Sequence, residues 1–216
     1  MLPLRASESV KKFPVGVLSF IGFLIILQVL TYLLGDGSRG ELVASWALKG
    51  QGFLGLRHFL SGLFLHENFF ALWISCVYLW SFAPRLFERR PYWLVVPGAL
   101  LSTLLSAAVY FLYHGPLPGT PILLGQVFVS ALLGIAMRGE IWSNINTLVF
   151  GPKLMQVFEV PSYVLLFFWF FYIMLGNLFM SAPFSDAPTL YFLPLMSSLF
   201  GFLFELGAEY LVPKRR

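Results

Sequence analysis

Apolar residues in this chain fall in long stretches, and Pro, Gly and charged residues punctuate them. Six stretches stand out: Phe13 to Leu34, Asn68 to Ala83, Tyr92 to Tyr113, Pro121 to Arg138, Pro161 to Met180 and Pro188 to Val212. A helix needs roughly 17 to 25 apolar residues to cross the hydrocarbon of a bilayer, and the second and fourth stretches sit at the short end. The pattern predicts an all-α polytopic membrane protein, a single bundle of six transmembrane helices over residues 1–216. No internal repeat interrupts it, which argues against an inverted-repeat transporter.

Two connecting segments are too apolar for free loops. Between the first two spans, residues 35–60 carry Leu42, Val43, Trp46 and Leu48, the composition of a short helix lying in the membrane interface. The segment from Arg138 to Val160 mixes Asn144, Asn146, Lys153 and Glu159 with apolar residues and is expected along the cytoplasmic surface.

Composition agrees: 58% of residues are hydrophobic and 11% charged, against roughly 25% charged in an ordinary soluble domain. With the N-terminus in the cytoplasm, Arg5, Lys11, Lys12, Arg85, Arg89, Arg90, Arg138, Lys153, Lys214, Arg215 and Arg216 fall inside and only Arg39, Lys49 and Arg57 outside. That asymmetry places both termini in the cytoplasm. The formal net charge of +4 therefore records topology, and no nucleic-acid partner is expected. Cys76 is the only cysteine, and His58, His66 and His114 lack metal-ligand spacing, so no disulfide, metal or cofactor is expected. The first apolar run is too long for a signal-peptide core and reads as an uncleaved span.

One stretch raises a question of chemistry. "HFLSGLFLHENFFALWISCVYLW", His58 to Trp80, carries His66, Glu67 and Asn68 at the edge of an apolar run. Together with Arg57, with Leu79 and Trp80, and with Glu88 followed by Arg89 and Arg90, it resembles the rhomboid family of intramembrane proteases and their inactive relatives. The resemblance covers residues 13 to 210 loosely and Arg57 to Arg90 specifically. It implies a serine at the start of the fourth span, activated by a histidine in the sixth, and a His and an Asn in the second span that steady the oxyanion. Carried over position by position, the oxyanion pair falls on Ala71 and Ser75, the nucleophile on Gln126 or, in a shifted register, Leu124, and the base on Leu195. None of these residues can do the work. No histidine follows His114, a fact independent of any alignment. His66, Glu67 and Asn68 then read as a surfacing helix start, with Asn68 or Glu67 satisfying free N–H groups.

Packing features remain where the chemistry is missing. Ser130, Ala131 and Gly134 in the fourth span and Ser197 and Gly201 in the sixth give small faces that let two membrane helices approach closely. Glu205 lies within a span, where an ionisable group is costly; Arg138 or Lys153 is its expected partner. Gln126 and Asn177 are the other polar residues within spans. The run Val164 to Leu175, which holds Trp169, is aromatic on all faces and borders the position of the family's lateral gate. The resemblance implies a rhomboid-like pseudoprotease of a bacterial cytoplasmic (inner) membrane, binding transmembrane segments of other proteins between the second and fifth spans. An atypical serine protease using Ser130, Ser197 or Ser198, and a fixed structural subunit of a membrane complex, are the alternatives.

Overall fold

A computed structural model describes residues 2–6, 15–48, 56–114, 122–151, 154–179 and 192–211. In chain order these form β1 (Leu2–Ala6), α1 (Val15–Leu33), α2 (Gly35–Trp46), α3 (Leu56–Gly62), α4 (Phe69–Arg89), α5 (Tyr92–His114), α6 (Gly125–Glu140), β2 (Asn144–Gly151), β3 (Leu154–Pro161), α7 (Ser162–Phe179) and α8 (Phe192–Leu211). Four of the helices, α1, α4, α5 and α8, are long and apolar enough to cross a membrane. The chain is a mostly helical integral membrane protein. Lys11, Lys12, Lys49, Lys153, Lys214, Arg215 and Arg216, which contribute to the charge asymmetry, lie outside the described residues.

Local chemistry sets the boundaries around α4, with one exception. Asn68 is extended and its side chain accepts from the Ala71 N–H at 2.8 Å, so α4 begins on an N-cap. Pro91 separates α4 from α5. The exception is the end of α4: the apolar run fades at Ala83, yet the helix continues through Pro84 to Arg89. Proline removes one backbone hydrogen bond, and the burial of Arg85, Leu86 and Arg90 against neighbouring helices holds the last turns in place.

The shortest of the bundle helices is also its centre. Twelve of the sixteen residues of α6 are buried, because α4, α5 and α8 surround it. A helix of that length is about 24 Å long. The backbones of α6 and α8 touch: a Cβ on Gly134 would overlap the Ser198 carbonyl, and one on Gly201 would overlap the Ala131 carbonyl. Lipid supplies no hydrophobic force between helices, so the dispersion contact that two bare backbones gain is what joins them. Gly98 of α5 makes a similar seat for the Phe204 ring of α8.

Ion pairs fix the relative direction of the helices. Arg85 and Arg89 of α4 reach Glu140 of α6, Arg90 reaches Glu205 of α8, and Arg138 of α6 reaches Glu209 of α8. The C-terminal ends of α4, α6 and α8 therefore lie together, and α5 runs back between them. At the same end, β1 pairs antiparallel with β2 and β2 with β3, in the order β1-β2-β3. The segment expected to lie along the surface as part of an all-helical protein is thus a β-hairpin. Its strands, Asn144–Gly151 and Leu154–Pro161, pair residue for residue. Backbone pairing explains why so apolar a segment needs no helix: the hairpin and β1 satisfy one another's N–H and C=O groups.

Packing at the α6–α8 crossing gives a test. Gly134→Leu is expected to cost about 1–3 kcal/mol or more, read as a lowered unfolding temperature in detergent. Gly207→Ala, where nothing lies within 4 Å, should be neutral or stabilising by up to about 1 kcal/mol.

Candidate functional site

Buried ion pairs hold the charged end of the bundle together. Arg90 Nε donates to Glu205 Oε1 at 2.8 Å with both side chains almost wholly buried, 1% and 4% exposed. This corrects the sequence expectation for Glu205: Arg138 instead meets Glu209, at 3.1 Å and only partly buried. Arg90 wins because it follows directly on α4, whose end is wedged against α6 and α8. Glu140 takes Arg85 and Arg89, each at 2.8 Å, and accepts a further hydrogen bond from the Ser143 hydroxyl. Ser143 also meets Ser162, the first residue of α7. Arg89 bonds the Gly139 carbonyl as well. Buried charges of this kind hold only when paired and hydrogen-bonded. Sequence reading missed Glu140 and gave Arg85 a role in sidedness and Arg89 and Arg90 a role in sidedness and in the family resemblance, but none of them an ion-pair partner. A glutamate just after an apolar helix, with arginines at the end of another, was the available signal. Glu88 is exposed, as is Arg57 on α3.

The positions matched to a protease lie near the opposite end. Leu124 precedes α6 and is buried, Gln126 sits in the first turn of α6, and Leu195 lies in the first turn of α8. Gln126 is thus at a helix start rather than deep in a span. Ala71 and Ser75 are buried on α4. The intramembrane hydroxyls are mostly engaged: Ser130 accepts from Trp169 Nε1 at 3.1 Å, and Ser198 donates to the Leu195 carbonyl at 2.8 Å. Ser75 and Ser197 are fully buried without a hydrogen-bond partner. No hydroxyl among the described residues is bonded to an imidazole. The side chains of His114 and Asn177 lie outside the described residues.

His66 differs from the surfacing residue the sequence suggests. It is 4% exposed, and neither ring nitrogen has a hydrogen-bond partner. The ring fits only because residue 125 is glycine; a Cβ there would overlap it. Burial pulls its pKa from the ordinary 6.5 down to about 4; the nearby Phe64 backbone opposes this without reaching hydrogen-bond geometry. Asn68, two residues on, is the cap. Burial pushes the Glu67 carboxyl up.

A cleft separates α4 from α7. Its cavity, about 290 Å³, is lined by Trp73, Ile74, Val77 and Tyr78 on one side and Leu165, Phe168 and Tyr172 on the other. Two ties cross beside it: the Tyr78 hydroxyl donates to the Leu165 carbonyl at 2.6 Å, and the fully buried Trp169 packs 4.8 Å from the Tyr78 ring. Aromatic residues lie all round α7, yet the helix has a buried and an exposed face. Leu165, Leu166, Trp169 and Ile173 are buried, while Phe167, Phe168, Phe171 and Met174 are exposed. The inward residues recur three or four apart, which the density of aromatics masks in the sequence.

Comparison of the chain with models of protein families finds no match, and comparison with characterised proteins finds none either.

Two tests follow from these groups. Glu205→Gln, which leaves the Arg90 guanidinium buried without its counter-charge, should cost about 3–5 kcal/mol, whereas Arg138→Met at the exposed pair should cost no more than about 1 kcal/mol. Unfolding in detergent reads both. The second concerns pH. A histidine whose folded pKa lies below its unfolded value makes the unfolded state the stronger proton binder below pH 6.5. Stability is therefore lost between pH 6.5 and about 4, in total by roughly 3 kcal/mol. Glu67 acts in the opposite sense, so the His66 share is the difference between the parent and His66→Gln; equal pH profiles would contradict it.

Proposed function

We propose that the chain is a rhomboid-like pseudoprotease that binds a transmembrane helix of a partner protein in the cleft between α4 and α7. The observation that carries this is the cleft itself: it is apolar, walled by aromatic side chains and formed by an α7 whose outer face is exposed. A helix in lipid gains from close dispersion contact and from aromatic edges, and this groove offers both without a charge to desolvate. The positions of the family's chemistry point away from proteolysis. Leu124, Gln126 and Leu195 supply neither nucleophile nor base, Trp169 holds the Ser130 hydroxyl, and neither nitrogen of His66 reaches a serine.

The topology belongs to the same proposal. All six helices α1, α4, α5, α6, α7 and α8 span the membrane, with α6 short because it is ringed by the others. Both termini are cytoplasmic, in a bacterial inner membrane. Support comes from Arg85, Arg89, Arg90 and Arg138, which gather at the end where β1 also lies, while Arg57 sits near the other. Exposed Trp93 and Trp142 near the charged end suit the headgroup region.

A photo-crosslinking amino acid at Phe168 or Trp73, introduced in native membranes, is expected to capture a membrane protein. The same probe at Leu105, on the exposed face of α5, should capture none. Equal capture at all three positions, or none at any, would remove the cleft as the binding surface. A constant stoichiometric adduct would identify a fixed structural subunit, and several substoichiometric adducts a client binder. A serine-directed phosphonate should leave the protein unlabelled; labelling of Ser130, Ser197 or Ser198 would restore the protease reading.

A further inference from the structure

The sheet at the charged end has two edges, and they differ. β1, one edge strand, carries Pro3, and its register against β2 slips between Pro3 and Arg5. Helix α4 packs against it. A proline, a bulge and a covering helix are devices that keep a sheet edge from pairing further. β3, the edge strand on the other side, has neither proline nor bulge before its last residue. Leu154 to Val160 pair with β2 without a slip, and Pro161 comes only at the end.

Register decides which backbone groups of β3 are left for a further strand. The Ser162 N–H donates to the Ser143 carbonyl at 2.8 Å, and these two residues continue the β2–β3 register by one pair. In an antiparallel ladder, pairs that exchange backbone bonds alternate with pairs that do not. Counting inward from Ser143 and Ser162, the bonded pairs are Ile145↔Val160, Thr147↔Phe158, Val149↔Gln156 and Gly151↔Leu154. The N–H and C=O groups of Met155, Val157 and Glu159 therefore point away from β2, and among the described residues no backbone bond takes them up. The carboxylate of Glu159, the one charge of the strand, is drawn back over the sheet to the Asn144 amide at 3.5 Å. Residues 180–191 join α7 to α8 at the end of the bundle where Tyr172 meets Phe70 of α4, remote from the sheet. To cover β3 they would have to run the length of α7, about 27 Å, and return, a longer path than their full extension.

We propose that the free edge of β3 pairs with β3 of a second copy of the chain, joining the two copies through one continuous sheet. The strand is complementary to itself. In an antiparallel pair centred on Val157, that residue meets Val157 of the second copy and Met155 meets the second copy's Glu159. All three outward residues of each strand then exchange backbone bonds, no glutamate faces another, and Pro161, which has no N–H to give, lies beyond them. Strands paired in this way are related by a two-fold axis normal to the sheet. With the hairpin lying along the membrane surface, as its apolar composition favours, that axis is normal to the bilayer and both copies keep one orientation. This inference is independent of the cleft between α4 and α7.

The test is disulfide crosslinking of the full chain in isolated membranes, in a background carrying Cys76→Ser. In the proposed pair the two Val157 Cα atoms lie about 5.5 Å apart, within disulfide reach, whereas the two Leu154 Cα atoms lie about 20 Å apart. On mild oxidation Val157→Cys should give a covalent dimer and Leu154→Cys none. Leu154→Cys combined with Val160→Cys, which this register sets opposite each other, should restore the dimer. Met155→Pro removes an outward N–H that β2 does not use, so it should abolish the Val157→Cys dimer while leaving the unfolding temperature in detergent at that of the parent. If the proline variant does not fold, the cysteine comparison decides alone. No dimer from Val157→Cys, equal dimers from Val157→Cys and Leu154→Cys, or a product joined to a different protein would overturn the proposal. A Val157→Cys dimer that persists in folded Met155→Pro protein would do the same.

Discussion

The bundle depends on the backbone contact between α6 and α8. Gly134 and Gly201 leave no room for a side chain between the two helices, and from that crossing the rest of the arrangement follows. In a bilayer, apolar side chains gain little by meeting each other rather than lipid, so contact area and polar bonds decide which helices associate. Once α6 and α8 lie this close and run the same way, Glu140 and Glu205 are brought beside the end of α4. Its three arginines then have partners that water cannot compete for. The pairs do not lower the energy of the bundle by their mere presence, because desolvation offsets much of the Coulomb attraction. They penalise every alternative in which one partner stays buried and the other leaves. That is how a small number of charges fixes register in an apolar bundle.

The remaining pieces lean on this core with decreasing firmness. α5 seats against α8 through Gly98 and Phe204, and its hydroxyls close on its own backbone, as Ser102, Thr103 and Ser106 do. α1 meets the start of α4 through the Tyr32 and Phe69 rings, and the segment before α4 through the Phe23 and Phe64 rings and the Gln28 bond to the His66 carbonyl. α7 is tied at its start by Ser162 and along its length by Leu165 and Trp169, buries Leu166 and Ile173 as well, and turns Phe167, Phe168, Phe171 and Met174 outward. That leaves α4, α6 and α8 locked together and α7 across an apolar cleft from α4.

Much of this was legible in the sequence. The spans of α1 and α5 were placed within a residue or two because long apolar runs bounded by charge and proline have few other readings. The glycines of the α6–α8 contact were visible as small residues four apart, and Asn68 as a cap. The failures share a cause, which is that partners distant in the chain decided them. Arg90 and Glu205 are 115 residues apart, so no local pattern favours that pairing over Arg138. α4 outruns its apolar stretch because its arginines are buried by other helices. The hairpin β2–β3 hid behind a composition that suits an interfacial segment equally well. Burial of His66 rests on the bare Cα of Gly125, on another helix, and no feature near His66 announces it.

What most needs testing is the proposal that α4, α6 and α8 form a fixed core and that a partner helix enters the cleft between α4 and α7. Pulsed dipolar spectroscopy in lipid nanodiscs addresses it, with spin labels on cysteines replacing Trp73 and Phe171 across the cleft and Leu105 and Leu199 across the α5–α8 contact, in a background lacking Cys76. A narrow distance distribution for the second pair, with a broad one for the first that narrows when a partner helix is bound, is the expected result. Equally narrow distributions for both pairs, unchanged by any partner, would contradict it.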